Sequence, residues 1–155
     1  MSIEIVKEYL KQWNRDKDIM EFAESTATSI MAAEVLETVP GRIAKSVTLK
    51  SKGGAILVVA SGDVRIDNKK FKAEFGFSPK MLSSEDALQF TGFAVGGVCP
   101  FALPKELPVY LDRSLQRFES VYPACGNSNS MIEVTIPELE EYSNFIKWVD
   151  VAKIS

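Results

Sequence analysis

Ala44-Lys45-Ser46-Val47-Thr48-Leu49-Lys50 is followed, after Ser51-Lys52-Gly53-Gly54, by Ala55-Ile56-Leu57-Val58-Val59-Ala60. Both flanking runs are strand-sized and rich in aliphatic and β-branched residues. The glycines between them free the backbone for a tight turn, so the whole stretch reads as a β-hairpin. Side chains alternate across a strand. Lys45 therefore shares a face with Val47 and Leu49, while Ser46, Thr48 and Lys50 take the other. An ammonium on an apolar face needs a partner, a route to water along its own stem, or a cavity. A strand-end lysine reaching solvent and a functional cation are both compatible with this pattern.

Upstream of the hairpin, Ile3, Val6, Leu10 and Trp13 recur at three- and four-residue spacing, which predicts an amphipathic helix over about residues 2–14. Ile19–Phe22 reads as a short strand. Thr26 and Thr28 precede Ile30–Leu36, and a hydroxyl there can satisfy the free N–H groups of a helix start. Pro40-Gly41 closes that region. Asp67 caps a predicted helix over Asn68–Phe75, with Gly76 just past its end, and Ser83 or Ser84 caps another over Glu85–Phe90. Residues 91–108 gather Gly92, Gly96, Gly97, Pro100, Pro104 and Pro108, a density that belongs to loops. Val109–Leu111 is strand-like, and Asp112 can cap a short helix through Phe118. Two more strands are expected at Ser120–Ala124 and Met131–Ile136, joined through Gly126-Asn127-Ser128-Asn129. Pro137 followed by three acids is the composition of a helix first turn, and Trp148–Val151 returns to the sheet.

Helices and strands thus mix without regular βαβ repetition. The expectation is one mixed α/β (α+β) domain over residues 1–155, with a mixed or largely antiparallel sheet and helices packed around it. A chain of 155 residues can bury a real core. No secretory signal or membrane-length apolar run is seen, which predicts a soluble cytoplasmic protein with no membrane partner. The net charge of −3 argues against an extended basic cradle for DNA or RNA.

The chain has no histidine and two cysteines, Cys99 and Cys125. That removes Ser-His-Asp and Cys-His catalysis and any histidine metal site. Two thiols do not make a four-ligand zinc site, so neither metal nor cofactor is expected. Hydrolytic chemistry would fall to backbone groups, Lys, Asp, Glu, Ser, Thr, Tyr or the substrate itself. Two features suit that. One is Lys45. The other is Thr91-Gly92-Phe93-Ala94-Val95-Gly96-Gly97-Val98-Cys99-Pro100-Phe101, whose paired glycines let the backbone approach a ligand and offer N–H donors to a developing oxyanion. A plain structural turn is the competing reading. Cys99 lacks a base to activate it and is expected to pack or line a pocket. Asp112 and Asp67 are explained as helix caps.

Pro40-Gly41-Arg42-Ile43-Ala44-Lys45-Ser46, then Val58-Val59-Ala60-Ser61-Gly62-Asp63, then Thr91-Gly92 through Gly96-Gly97-Val98-Cys99-Pro100-Phe101, then Pro108-Val109-Tyr110-Leu111-Asp112 resembles the YbaK/EbsC family. That family includes the editing domain of bacterial prolyl-tRNA synthetases and its free-standing relatives. The resemblance covers about Ile19 to Val151 and makes this chain similar to a free-standing member. It implies a twisted, barrel-like sheet and hydrolysis of the ester joining an amino acid to the terminal adenosine of tRNA. The residue matching Lys45 would hold the terminal nucleotide through its phosphate. The loop matching Gly96 and Gly97, with Val98, Cys99 and Pro100, would surround the ester, and a ribose hydroxyl of the substrate would help activate water. Ser46, Asp112, Ala124 and, by looser alignment, Phe22, Thr28 and Ile30 would flank the substrate. The partner implied is the aminoacyl-tRNA acceptor end, with a synthetase as a second candidate, and family substrates include tRNA for proline carrying cysteine or alanine. Tyr122-Pro123-Ala124-Cys125-Gly126 departs from the Tyr-x-Ser-Gly-Gly stretch of some cysteine-type relatives, which leaves the acyl group open. The alternative is a non-catalytic module that binds the aminoacyl-tRNA end beside a synthetase.

Overall fold

The computed structural model describes Ser2–Ser155. Helix α1 (Ser2–Leu10) continues as a 3-10 turn over Lys11–Trp13, and Val6 and Leu10 are fully buried, as the apolar stripe requires. After the short strand β1 (Met20–Glu21), Thr28 caps α2 (Ser29–Leu36) by accepting a hydrogen bond from the Met31 N–H. The hairpin of β2 (Ile43–Ser51) and β3 (Gly54–Ser61) pairs Lys45 with Ala60 and Ser51 with Gly54, and Gly53 takes the positive φ of 75° that the turn needs. Asp67 caps α3 (Asn68–Phe75), which ends on Gly76, and Ser83 caps α4 (Ser84–Thr91), which ends on Gly92.

These seven elements lie where expected, within a residue or two, the 3-10 turn included with α1. Three features were not anticipated. A strand β4 (Val64–Ile66) follows the hairpin. The predicted strand Met131–Ile136 is two short pieces, β7 (Ser130–Met131) and β8 (Val134–Thr135). Ile136 instead opens α5 (Ile136–Ser143), because Thr135 and Glu138 form a reciprocal capping box that commits the chain to a helix there. The C-terminal return is also split. β9 (Lys147–Val149) joins the main sheet and β10 (Ala152–Ile154) pairs with β4.

With β5 (Val109–Asp112) and β6 (Ser120–Pro123), the main sheet runs β8-β6-β2-β3-β5-β9. It is mixed: β2 is antiparallel to β3, whereas β6 on β2, β5 on β3, and β9 on β5 are parallel. One face of the hairpin packs Leu57 and Val59 against Phe93, Cys99, Phe101 and Leu111. The other packs Leu49, Ile56 and Val58 against Phe71 and Val151. Both faces are covered, which is why β3 reads as a continuous apolar run.

Candidate active site

The edge of β2 that faces β6 is interrupted. Pairing with β6 stops at Ala44, opposite Pro123. It resumes at Thr48, whose carbonyl accepts the Leu82 N–H at 3.1 Å, and at Lys50, whose N–H donates to the Lys80 carbonyl at 2.8 Å. Between these anchors lies a gap at residues 45–47, and a cavity of about 350 Å³ opens there. Strand alternation turns the main chain of Ser46 toward the same edge as that of Ala44 and Thr48. The Ser46 side chain is on the strand face of Ala44 and Thr48. Its hydroxyl oxygen is buried, and among the described residues it has no hydrogen-bond partner.

Three loops form the opposite wall. Gly97 N–H donates to the Ala94 carbonyl at 2.9 Å, closing a tight turn in which Gly96 takes a φ of 96°. A β-carbon on Gly96 would lie 3.2 Å from that of Ala27 and 3.4 Å from that of Ser128. Thr26 N–H in turn donates to the Ser128 carbonyl at 2.6 Å, and Phe22 N–H to the Asn129 carbonyl at 2.8 Å. The loops around residues 22–28, 94–98 and 124–130 are therefore fastened to one another. Of the expected site residues, Thr28, Lys45, Ser46, Gly96, Val98 and Ala124 line this cavity together.

The others sit elsewhere. Gly97 supports the wall through its turn, and its N–H is already committed to Ala94. Gly96 and Val98 line the cleft, and their N–H groups have no partner among the described residues, which makes them candidate donors to a bound oxyanion. Cys99 is fully buried in the core, with Sγ 3.7 Å from the Phe101 carbonyl, and burial pushes its thiol up to about 12. Pro100 borders a separate hollow beside Tyr9 and Phe145. Asp112 is buried and consumed: one carboxylate oxygen accepts the Ser114 N–H at 2.9 Å and the other the Val151 N–H at 2.8 Å. Phe22 packs behind the cavity on Ala32, Ala33 and Met131, and Ile30 points outward, 65% exposed. Sequence reading did not single out Ala44, Thr48, Met81, Val95 or Met131 as site residues, and they too line the cavity. The alternation Ala44, Ser46, Thr48 was the available signal, since small and hydroxyl side chains on one strand face leave room.

Lys45 is half-buried. Its Nζ donates to the Val64 carbonyl, and removal from water lowers its pKa, opposed by the nearby Asp63 carboxylate. Asp63 is itself clamped by the two terminal Arg117 nitrogens, at 2.6 and 3.1 Å, and that bidentate pair holds its carboxyl below the usual carboxylate range. The cleft thus combines one cation, an unpaired hydroxyl, backbone donors at a glycine turn and a small, mostly apolar floor. It can grip an anion at the rim and hold a carbonyl inside.

Solved structures share this architecture over nearly the full chain. A candidate trans-editing enzyme for prolyl tRNA synthetase superposes with a TM-score of 0.87 at 29% identity, covering 98% of this chain and 97% of that one. The hypothetical protein APE2540 follows at a TM-score of 0.81 and 26% identity, covering 94% and 99%. The pattern of the aminoacyl-tRNA editing domain matches residues 23–142, and the chain belongs to that family. Among its relatives, the uncharacterized protein YwhH of Bacillus subtilis is 49% identical over 154 residues, 99% of this chain and 98% of that protein. EbsC of Enterococcus faecalis, named as a candidate Cys-tRNA(Pro)/Cys-tRNA(Cys) deacylase, is 32% identical over 130 residues, 83% of this chain and 74% of EbsC. Among the described residues no helix is long and apolar enough to cross a membrane.

Proposed function

We propose that this chain is an aminoacyl-tRNA hydrolase acting in trans in the cytoplasm, and that it removes cysteine or alanine from mischarged tRNA for proline. The observation that carries the reading is the convergence of Lys45, Ser46 and the Gly96 turn on one cleft in a chain of the editing family. The name of EbsC, a candidate Cys-tRNA deacylase, supports cysteine as one acyl group. The cleft's small lining, Ala44, Ala87, Val98 and Ala124, suits a short side chain.

In this reading Lys45 holds the phosphate of the terminal nucleotide. Water adds to the ester carbonyl carbon, oriented by a hydroxyl of the terminal ribose that relays the water's proton toward the departing ester oxygen. The Gly96 and Val98 N–H groups stabilise the oxyanion, which collapses as the ribose ester oxygen leaves and is protonated. The products are the free amino acid and uncharged tRNA. No protein nucleophile is needed, because an aminoacyl ester is already activated. Steric exclusion at the floor rejects larger acyl groups, whereas a smaller group that fits loses only about 1–3 kcal/mol for each missing methylene.

The test is a deacylation panel with alanyl-, cysteinyl-, seryl- and threonyl-tRNAs and no added metal. Hydrolysis of at least one, lost in Lys45→Ala, is expected. Binding without hydrolysis across the panel would leave a binding module in its place.

A further inference from the structure

A second hollow, of about 470 Å³, lies outside the cleft along β4, β10 and the start of α3, lined by Arg65, Ile66, Asp67, Asn68, Lys69 and Lys153. Its charge is unusual for a chain of net −3: three cations and one carboxylate. Their placement is unfavourable for the isolated protein in two respects. Arg65 and Lys153 are direct cross-strand partners in the β4–β10 ladder, and like charges placed opposite each other are destabilising. Lys69 lies in the first turn of α3, which holds no acid, although the positive end of a helix disfavours a cation.

Asp67 offsets only one of the three cations: one of its oxygens accepts the Lys70 N–H as the helix cap, and the other is ion-paired with Lys153 at 3.2 Å. Arg65 and Lys69 are exposed and have no ion-pair partner among the described residues. An anion in the hollow would relieve the Arg65–Lys153 repulsion and meet the α3 amino end together. The hollow is also tied to the cleft. Lys45 ends on the carbonyl of Val64, the residue before Arg65 on β4.

We propose that this groove holds the sugar-phosphate backbone of the tRNA acceptor arm outside the cleft, an inference that rests on the reading of this chain as a tRNA deacylase. Arg65 and Lys69 each take one phosphate, and Lys153 adds charge between them. Recognition is by backbone charge and carries no base sequence.

The experiment is fluorescence anisotropy of uncharged, end-labelled full-length tRNA with the full chain over a series of salt concentrations. Arg65→Ala/Lys69→Ala is expected to weaken binding roughly tenfold at low salt and to reduce the log–log salt slope by about 1.5, the loss of two phosphate contacts. The charge-matched control Lys52→Ala/Lys105→Ala, at exposed loop lysines outside the groove, should leave both unchanged. Wild-type affinity and slope in the folded groove variant, an equal loss in the control, or no tRNA binding by the wild type would overturn the proposal. If the alanine pair unfolds, Arg65→Gln/Lys69→Gln replaces it. The tRNA is uncharged, so a failure of hydrolysis in the deacylation panel is read separately and does not decide this result.

Discussion

A β-carbon on Gly97 would lie 2.6 Å from the carbonyl carbon and oxygen of Gly126. Two loops distant in sequence meet there, backbone against backbone, and the meeting fixes the wall that carries the Gly96 turn. Gly97→Ala is therefore expected to cost about 1–3 kcal/mol, the range for overpacking, and to reduce deacylation as the wall opens. Gly54→Ala, where the nearest atom is Ser51 Oγ at 3.7 Å, should change stability by no more than about 0.5 kcal/mol. Paired thermal unfolding curves check this, and equal stability of the two variants would count against the contact.

The buried Ser46 hydroxyl predicts a split between stability and function. Removing a buried group that lacks a partner among the described residues costs nothing in lost hydrogen bonds, so Ser46→Ala should be as stable as the wild type or up to about 1 kcal/mol more so. Its deacylation rate should fall, because the hydroxyl is then missing from the bound state. A loss of stability with full activity would contradict the assignment.

Lys45→Met should abolish hydrolysis while leaving the fold intact or firmer, since the ammonium is removed from water at a cost. The sign with pH follows from its lowered pKa. The unfolded chain holds that proton more tightly, so stability from this group rises as pH climbs from the folded pKa toward the ordinary lysine value of about 10.5. Thermal melts over the alkaline range should show that gain in the wild type and lack it in Lys45→Met.

Asp63 gives the opposite limb. Its carboxyl is lowered chiefly by the Arg117 hydrogen bonds, so its contribution is fully present above the unfolded value of about 3.8 and is lost as pH falls through the folded pKa. Asp63→Asn is expected to lower Tm at neutral pH by a few degrees. The difference from the wild type should close in acid; a constant difference would refute the ion-pair explanation.

Cys99 is inert by position. With its thiol pushed up to about 12 by burial, the native protein should resist alkylation there at neutral pH. Cys99→Ala should keep most of the deacylation activity. Rapid labelling of Cys99 that stops hydrolysis would restore a thiol mechanism.

Elements whose signals are local were legible along the chain. The Lys52-Gly53 turn, the caps at Thr28, Asp67 and Ser83, and the glycines after α3 and α4 each act within a few residues, so composition and spacing suffice to find them. The family motifs also gave the right domain class. Which motif residues share a cleft depends on how distant segments pack. Gly41 and Gly62 show why: a β-carbon on Gly41 would meet Phe118 at 2.8 Å and Asp63 at 2.9 Å, and one on Gly62 would meet the Pro40 carbonyl at 2.4 Å. Those glycines answer to close packing between segments, which no local pattern reports. The same holds for the opening in the β2 edge, which depends on where β6 ends and where residues 80–82 begin to pair. It also explains why Asp112, Cys99 and Gly97 left the cleft for structural duties while Thr28, Ser46 and Ala124 joined Lys45 and Gly96 in it. Spacing along a chain fixes faces and turns, whereas a cavity is defined by what fails to pair across space.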